Sequence, residues 1–293
     1  MTILQAIILG IVQGVTEFIP ISSTAHLIFA SRLIGLYDGV DATLKAQQTT
    51  ATIAVVQLGT LLAVLIYFAG DIVNITRAFV VDHLALLSGK QSQPGNRLST
   101  EARLGWLVII GSLPVAVVGL LFKHQIEGAF TKNLWLIATM MIVVALLLAL
   151  AELVGKRQRV LADLKVGDAL AVGSAQVLAL IPGSSRSGST IMAGLFAGET
   201  RETAARFSFL LSMPAIAASG LLELKEAIHK LPSGSFVPLA VATIVSGLVG
   251  YASIWFLLRF LRTHSTGVFI VYRLGVGAVI LLALFGGYIS ATT

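Results

Sequence analysis

Residues 182–190 read Pro-Gly-Ser-Ser-Arg-Ser-Gly-Ser-Thr, set between an apolar run at Ala169–Ile181 and another that resumes at Ile191. Proline and glycine break a helix there, and four serines, a threonine and an arginine follow at once. In lipid each unpaired backbone group costs several kcal/mol, so a broken helix persists only inside protein or against a wet cavity. An arginine at bilayer depth marks a functional site by default. Hydroxyls, free N–H groups and one guanidinium fork together describe an anion cradle, with phosphate the leading guest.

The rest of the chain sets that cradle in a membrane. Of 293 residues, 56% are apolar and 12% charged, where soluble domains carry about 25% charge. The chain reads as a single membrane domain, residues 1–293, built as one bundle. With no cysteine, disulfides, thiolate catalysis and cysteine-based metal sites are excluded. The net charge of +6 is assigned to loops facing anionic lipid; no basic run interleaved with aromatics supports a nucleic-acid surface. Met1–Leu9 lacks a basic segment and a small-residue cleavage site, so no signal peptide is expected.

A second interrupted segment opens the chain. Residues 3–12 are apolar, then Gln13, Thr16, Glu17, Pro20, Ser22, Ser23, Thr24 and His26 intervene before apolar character returns at Leu27–Leu36. This reads as two half-helices joined near Pro20–Ser23, a re-entrant hairpin over about 3–36, matched by another over about 167–198. Gln13 and Glu17, four apart, share a helix face; His26 shares one with Ser23. Between and after the hairpins the apolar spans fall at about 50–69, 104–122, 134–153, 206–224, 237–259 and 268–290. Residues 37–50 and 70–103 read as hydrophilic loops, with a turn at Gln93-Pro-Gly-Asn96, and Thr200–Arg206 as a solvated connection. Gln57 either bonds a neighbouring helix or serves the site.

The two interrupted segments resemble each other. Gly10-Ile-Val-Gln13 matches Gly173-Ser-Ala-Gln176, and Ile19-Pro-Ile-Ser-Ser23 matches Ile181-Pro-Gly-Ser-Ser185, the two matches one residue apart in register. Paired broken segments point to a midplane site. Six crossings plus two re-entrant hairpins on opposite sides make an all-α inverted repeat, about 1–155 and 156–293. Thirteen of the twenty lysines and arginines fall on one side and six on the other, with Arg186 embedded; Arg206 and Arg273, counted among the thirteen, can also sit within helix ends, and without them the bias is eleven to six. The richer side is expected to be cytoplasmic and both termini outside.

Glu17, Ser23, His26, Arg186 and the hydroxyls of 184–190 suit phosphoryl transfer, which needs positioning and charge neutralisation. Glu17, with Gln13 one turn away, can offer oxygens to Mg²⁺ or Ca²⁺. Ser23 is a candidate nucleophile with His26 as its base; water is the other. Thr24, Ser184, Ser185, Ser187, Thr190 and Gln57 complete the candidate phosphate-binding set.

Gln13, Glu17-Phe-Ile-Pro-Ile-Ser-Ser-Thr-Ala-His26 and Pro182–Thr190 together resemble the undecaprenyl-diphosphatase family associated with bacitracin resistance, over essentially the whole chain. The resemblance implies removal of the terminal phosphate of undecaprenyl diphosphate, with a divalent cation, at a site open to the outer face of the bacterial inner membrane. That reaction regenerates the lipid carrier of cell-wall synthesis. It places the family's Glu/Gln-x-x-x-Glu motif on Gln13 and Glu17, its serine and histidine on Ser23 and His26, and its arginine on Arg186, flanked by Ser185 and Thr190. Glutamine at 13 removes one charge from the metal site, so it binds through its carbonyl or only orients water. A secondary transporter or lipid flippase built on the same inverted-repeat anion site is the alternative. The expected partners are a polyprenyl diphosphate and membrane lipids; a homodimer is compatible with the sequence, which fixes no oligomeric state.

Overall fold

Helix caps and apolar runs divide the chain into eleven α-helices among the described residues, which in this computed structural model are 1–89, 98–122, 133–231 and 234–291. They are α1 Ile3–Phe18, α2 Ser23–Leu33, α3 Ala42–Tyr67, α4 Ala69–Leu87, α5 Thr100–Leu121, α6 Leu134–Val154, α7 Val166–Gln176, α8 Arg186–Phe196, α9 Arg201–Lys230, α10 Phe236–Thr263 and α11 Gly267–Phe285. Thr2 and Gln5 form a capping box on α1, and the Asp41, Ser99 and Asn133 side chains cap α3, α5 and α6. Such caps satisfy backbone N–H groups that a helix start leaves without partners.

Five helices, α3, α5, α6, α10 and α11, are long and apolar enough to cross a membrane. The sixth apolar span lies in α9, a 30-residue helix that carries Arg201, Glu202 and Arg206 in its first six positions. The pairs α1–α2 and α7–α8 are built of helices of 11 or 16 residues, too short to span about 30 Å of hydrocarbon.

Three stretches read as loops are helical. Residues 37–50 contain the first turns of α3, started by the Asp41 cap. Residues 70–103 contain α4, whose Val73, Val80, Val81, Leu84 and Leu87 are exposed among its polar residues; averaging hydropathy over both kinds hides the helix. The 93–96 turn lies outside the described residues. Thr200–Arg206 is the packed start of α9, with Thr203, Ala204 and Ala205 buried and Arg201 held by Glu152 at 2.7 Å.

Packing then brings the short helices inward. Helix α1 lies against α10 and α3, α7 against α5, α3 against α9, and α6 against both α8 and α11. Small residues permit these approaches: a Cβ on Gly10 would stand 2.6 Å from the Ala242 carbonyl, and one on Gly173 2.1 Å from that of Gly111. Every α8 residue from Ser187 to Leu195 is buried. Phe18, at the end of α1, meets Phe209 of α9 edge to face at 5.4 Å, and Glu17 before it is buried.

Candidate active site

Each short pair turns through a serine with left-handed backbone: Ser22 (φ 78°) before α2 and Ser185 (φ 68°) before α8. Only a few per cent of non-glycine residues have positive φ, so two matched instances single out these turns. They also settle the register of the repeat. Gly10 and Gly173, Gln13 and Gln176, and Ser22 and Ser185 are all 163 residues apart; only the Ile-Pro dipeptides, 162 apart, are displaced. Ser23 and Arg186, the first residues of α2 and α8, are therefore counterparts. In the second turn a 3-10 stretch, Val177–Leu180, precedes the proline, and Gly183 bends with φ 92° against α6, where a Cβ would lie 2.3 Å from the Ile137 carbonyl.

The turns meet tip to tip. Arg186 Nη2 donates to Glu17 Oε1 at 2.8 Å, while Glu17 Oε2 accepts from Ser23 Oγ at 3.0 Å and from Gln13 Nε2 at 3.1 Å. Gln13 Nε2 also reaches Thr60 Oγ1 on α3 at 3.3 Å. Arg186 Nη1 is buried without a hydrogen-bond partner, so the fork keeps donors for a further anion. On the α8 side, the Gly188 N–H donates to Ser185 Oγ at 3.1 Å, Ser185 and Ser187 hydroxyls lie 3.2 Å apart, and Ser187 Oγ donates to the Ile19 carbonyl at 3.4 Å. Thr190 Oγ1 bonds Ser208 Oγ at 2.6 Å and the Arg186 carbonyl at 2.8 Å, which ties α8 to α9 more than it faces the cluster. The Ser184 and Ser189 hydroxyls are buried without partners.

His26 pairs elsewhere than with Ser23. Its Nδ1 lies 2.7 Å from the Ser22 carbonyl and its Nε2 2.7 Å from the Tyr272 hydroxyl on α11, with the rings stacked at 5.6 Å. A carbonyl only accepts, so Nδ1 carries the proton, and in the neutral ring Nε2 accepts from Tyr272. Thr24 is exposed. Gln57 is half-buried on α3, where its backbone carbonyl accepts from Thr60 Oγ1.

The sequence missed Arg273. Counted with the basic loops, it is fully buried in α11 and donates to carbonyls of both turns: Gly183 and Ser184 at 3.0 Å and Pro20 at 3.3 Å, with Met141 and Met140 of α6 at 3.2 and 3.3 Å. Its signal was a lone arginine inside a 19-residue apolar span. Arg206, also assigned to the basic side, bonds Asp71 at 2.9 Å.

Among the described residues no group of three His, Cys, Asp or Glu gathers for a metal. Beside the Glu17 carboxylate the Gln13 amide presents its nitrogen, at 3.1 Å, while its Oε1 is buried without a partner; turning that amide over would bring its oxygen to the carboxylate. One carboxylate and one amide oxygen fit a hard divalent cation whose remaining ligands are water and phosphate.

Comparison with known proteins shows the family. The family profile described as "Bacitracin resistance protein BacA" matches residues 6–279. The undecaprenyl-diphosphatase of Syntrophobacter fumaroxidans is 50% identical, over 97% of this chain and 98% of its own length. That of Chlorobium phaeobacteroides is 48% identical over 99% and 100%, and that of Mycobacterium marinum 46% over 98% and 96%.

Proposed function

Because the chain belongs to the bacitracin resistance protein BacA family, we propose that it hydrolyses undecaprenyl diphosphate to undecaprenyl phosphate and inorganic phosphate. The relatives' shared name supplies the substrate. The observation that carries the chemistry is the contact of the two broken-helix turns through Arg186, Glu17 and Ser23. Arg186, with Nη1 free, receives the terminal phosphate, and the positive dipole ends of α2 and α8, which start at Ser23 and Arg186, add to its charge. Glu17 accepts the Ser23 proton as Oγ attacks phosphorus; the bond to the bridging oxygen breaks, the prenyl phosphate leaves and water cleaves the phosphoserine. The Ser23–Glu17 hydrogen bond favours this base over His26, which with Tyr272 stands beside the leaving group's path. Glu17 and the Gln13 amide oxygen would hold Mg²⁺ or Ca²⁺, which when bound offsets diphosphate charge.

In this reading α3, α5, α6, α9, α10 and α11 are six crossings, and α1–α2 and α7–α8 are re-entrant hairpins of an inverted repeat divided near residue 155. Reciprocal packing supports it: α1 lies on α10 as α7 lies on α5, and α8 on α6 as α2 meets α11 through His26 and Tyr272. The site opens to the outer face of the bacterial inner membrane, with both termini outside, and the product returns to cell-wall synthesis as lipid carrier.

The test is phosphate release from undecaprenyl diphosphate by the purified protein in detergent, with and without chelator. Chelator-sensitive release that Arg186→Ala abolishes, in a protein that still folds, is the expected result. A folded protein that releases nothing from any prenyl diphosphate with Mg²⁺ or Ca²⁺ present overturns the reading and leaves the transporter. Acid-quenched wild-type enzyme should retain labelled phosphate on protein and Ser23→Ala should not; no trapped label in either assigns the attack to water.

A further inference from the structure

A groove of about 440 Å³ lies on the outside of the bundle between α2 and α11, walled by Phe29, Tyr272, Gly275, Val276, Val279 and Ile280. Its lining is apolar apart from the Tyr272 hydroxyl, and that hydroxyl is the one bonded to His26 Nε2 at 2.7 Å. The groove thus begins where the polar cluster ends. Its direction follows from the two helices. Helix α2 starts at Ser23 beside the tips, and Phe29 lies about 9 Å farther along its axis. Helix α11 passes the tips at Arg273, and Ile280 lies about 10 Å beyond. Ala25, Ile280 and Leu284 share one buried cluster against which Phe29 and Val276 pack, so both helices leave the tips toward the same end.

We infer that this groove holds the first isoprene units of the prenyl diphosphate, an assignment that rests on the reading of the polar cluster as the diphosphate site. Head and tail are one molecule: with its phosphates against Arg186 and Ser23, a chain that leaves between α2 and α11 passes His26 and Tyr272, which join the Ser22 turn to the groove. Apolar walls that start at that point receive it at little polar cost. The groove is also open sideways, with Val279 66% and Tyr272 44% exposed, so the long remainder of the tail runs out into lipid without threading the bundle. Space is available along its floor: a Cβ on Gly275 would meet nothing within 4 Å. Tyr272 marks the boundary, its ring on the tail side and its hydroxyl on the phosphate side.

Filling the groove tests the assignment. Gly275→Trp should raise KM for undecaprenyl diphosphate about tenfold with kcat little changed, because apolar contact common to bound substrate and transition state is lost. Gly119 on α5 also has nothing within 4 Å of a built Cβ, and Gly119→Trp should leave both constants at wild-type values. Gly275→Leu serves if the tryptophan variant does not fold. A photoreactive phenylalanine analogue in place of Val279 should crosslink labelled undecaprenyl diphosphate, and excess unlabelled lipid should compete it away. A KM within twofold of wild type, an equal rise in Gly119→Trp, crosslinks to bulk phospholipid alone, or crosslinks between two copies of the chain overturn the groove. Wild-type protein that releases no phosphate overturns the enzyme reading instead, while the crosslink still reports on the tail.

Discussion

Glu17 and Arg186 sit 169 positions apart in the chain and neutralise each other at 2.8 Å, with 7% and 11% of their side chains exposed. A buried pair that loses one member leaves an uncompensated charge, at a cost of about 3–5 kcal/mol. Glu17→Gln should therefore reduce phosphate release about 100-fold or more, since it removes the base for Ser23 and the Arg186 counter-ion together; metal dependence unchanged by the substitution would place the cation elsewhere. Glu199, between α8 and α9, is a different kind of buried acid. It is 0% exposed, neither carboxyl oxygen has a partner, and burial, with Asp168 adding and Arg159 opposing, pushes its pKa up to about 7 from 4.5. A raised carboxyl favours the folded state while protonated, so its stabilisation is whole below pH 4.5 and is lost as pH rises toward about 7. The loss is on the order of 3 kcal/mol. Thermal midpoints in detergent should fall across that window for the wild type and stay flatter for Glu199→Gln; parallel curves would remove Glu199 from the pH response.

At the scale of elements, the broken helices are held rather than merely interrupted. Arg273 of α11 reaches the carbonyls of both turns and of α6, doing for free carbonyls what a helix would otherwise do. Arg273→Met leaves several buried acceptors without donors at about 1–3 kcal/mol each. It should lower the thermal midpoint and abolish turnover below it, with Arg273→Lys between, since an ammonium keeps the charge but not the fork. A midpoint and turnover both unchanged in Arg273→Met would deny the clamp. Gly173 tests the α7–α5 contact: Gly173→Val drives a side chain into the Gly111 backbone, and loss of folded protein on size exclusion is expected, whereas Gly70→Ala, facing open space, should behave as wild type.

Across the whole molecule, the arginines gather with acids at one end: Arg201 and Arg157 on Glu152, Arg159 on Asp168, Arg206 on Asp71 and Arg262 on Glu202. Pairing lowers the field of that end without removing its lysine and arginine excess, which is what orients loops during insertion. The cysteine-free chain allows a direct check. In intact cells a membrane-impermeant thiol reagent should label Tyr288→Cys, 85% exposed beyond α11, and should spare Gln158→Cys until the cells are opened. The reverse pattern would invert the orientation.

Hydropathy and helix-breaking residues are local properties, and what depends on them was legible in the sequence: a membrane bundle, two interrupted segments, and the polar residues within them, of which Gln13, Glu17, Ser23 and Arg186 come into contact. Helix α4 escaped because its charged and apolar residues alternate around one helix, and a running average cancels them. Partnerships were decided only by folding. Whether Ser23 bonds Glu17 or His26, whether His26 finds Tyr272 some 246 positions away, and whether Arg273 is a loop charge or the clamp of both turns all depend on how helices approach across small residues such as Gly10 and Gly173. The groove between α2 and α11 exists only in that packing. A sequence names the groups that can bond; the distances between helices, set by side-chain volume, decide which of them do.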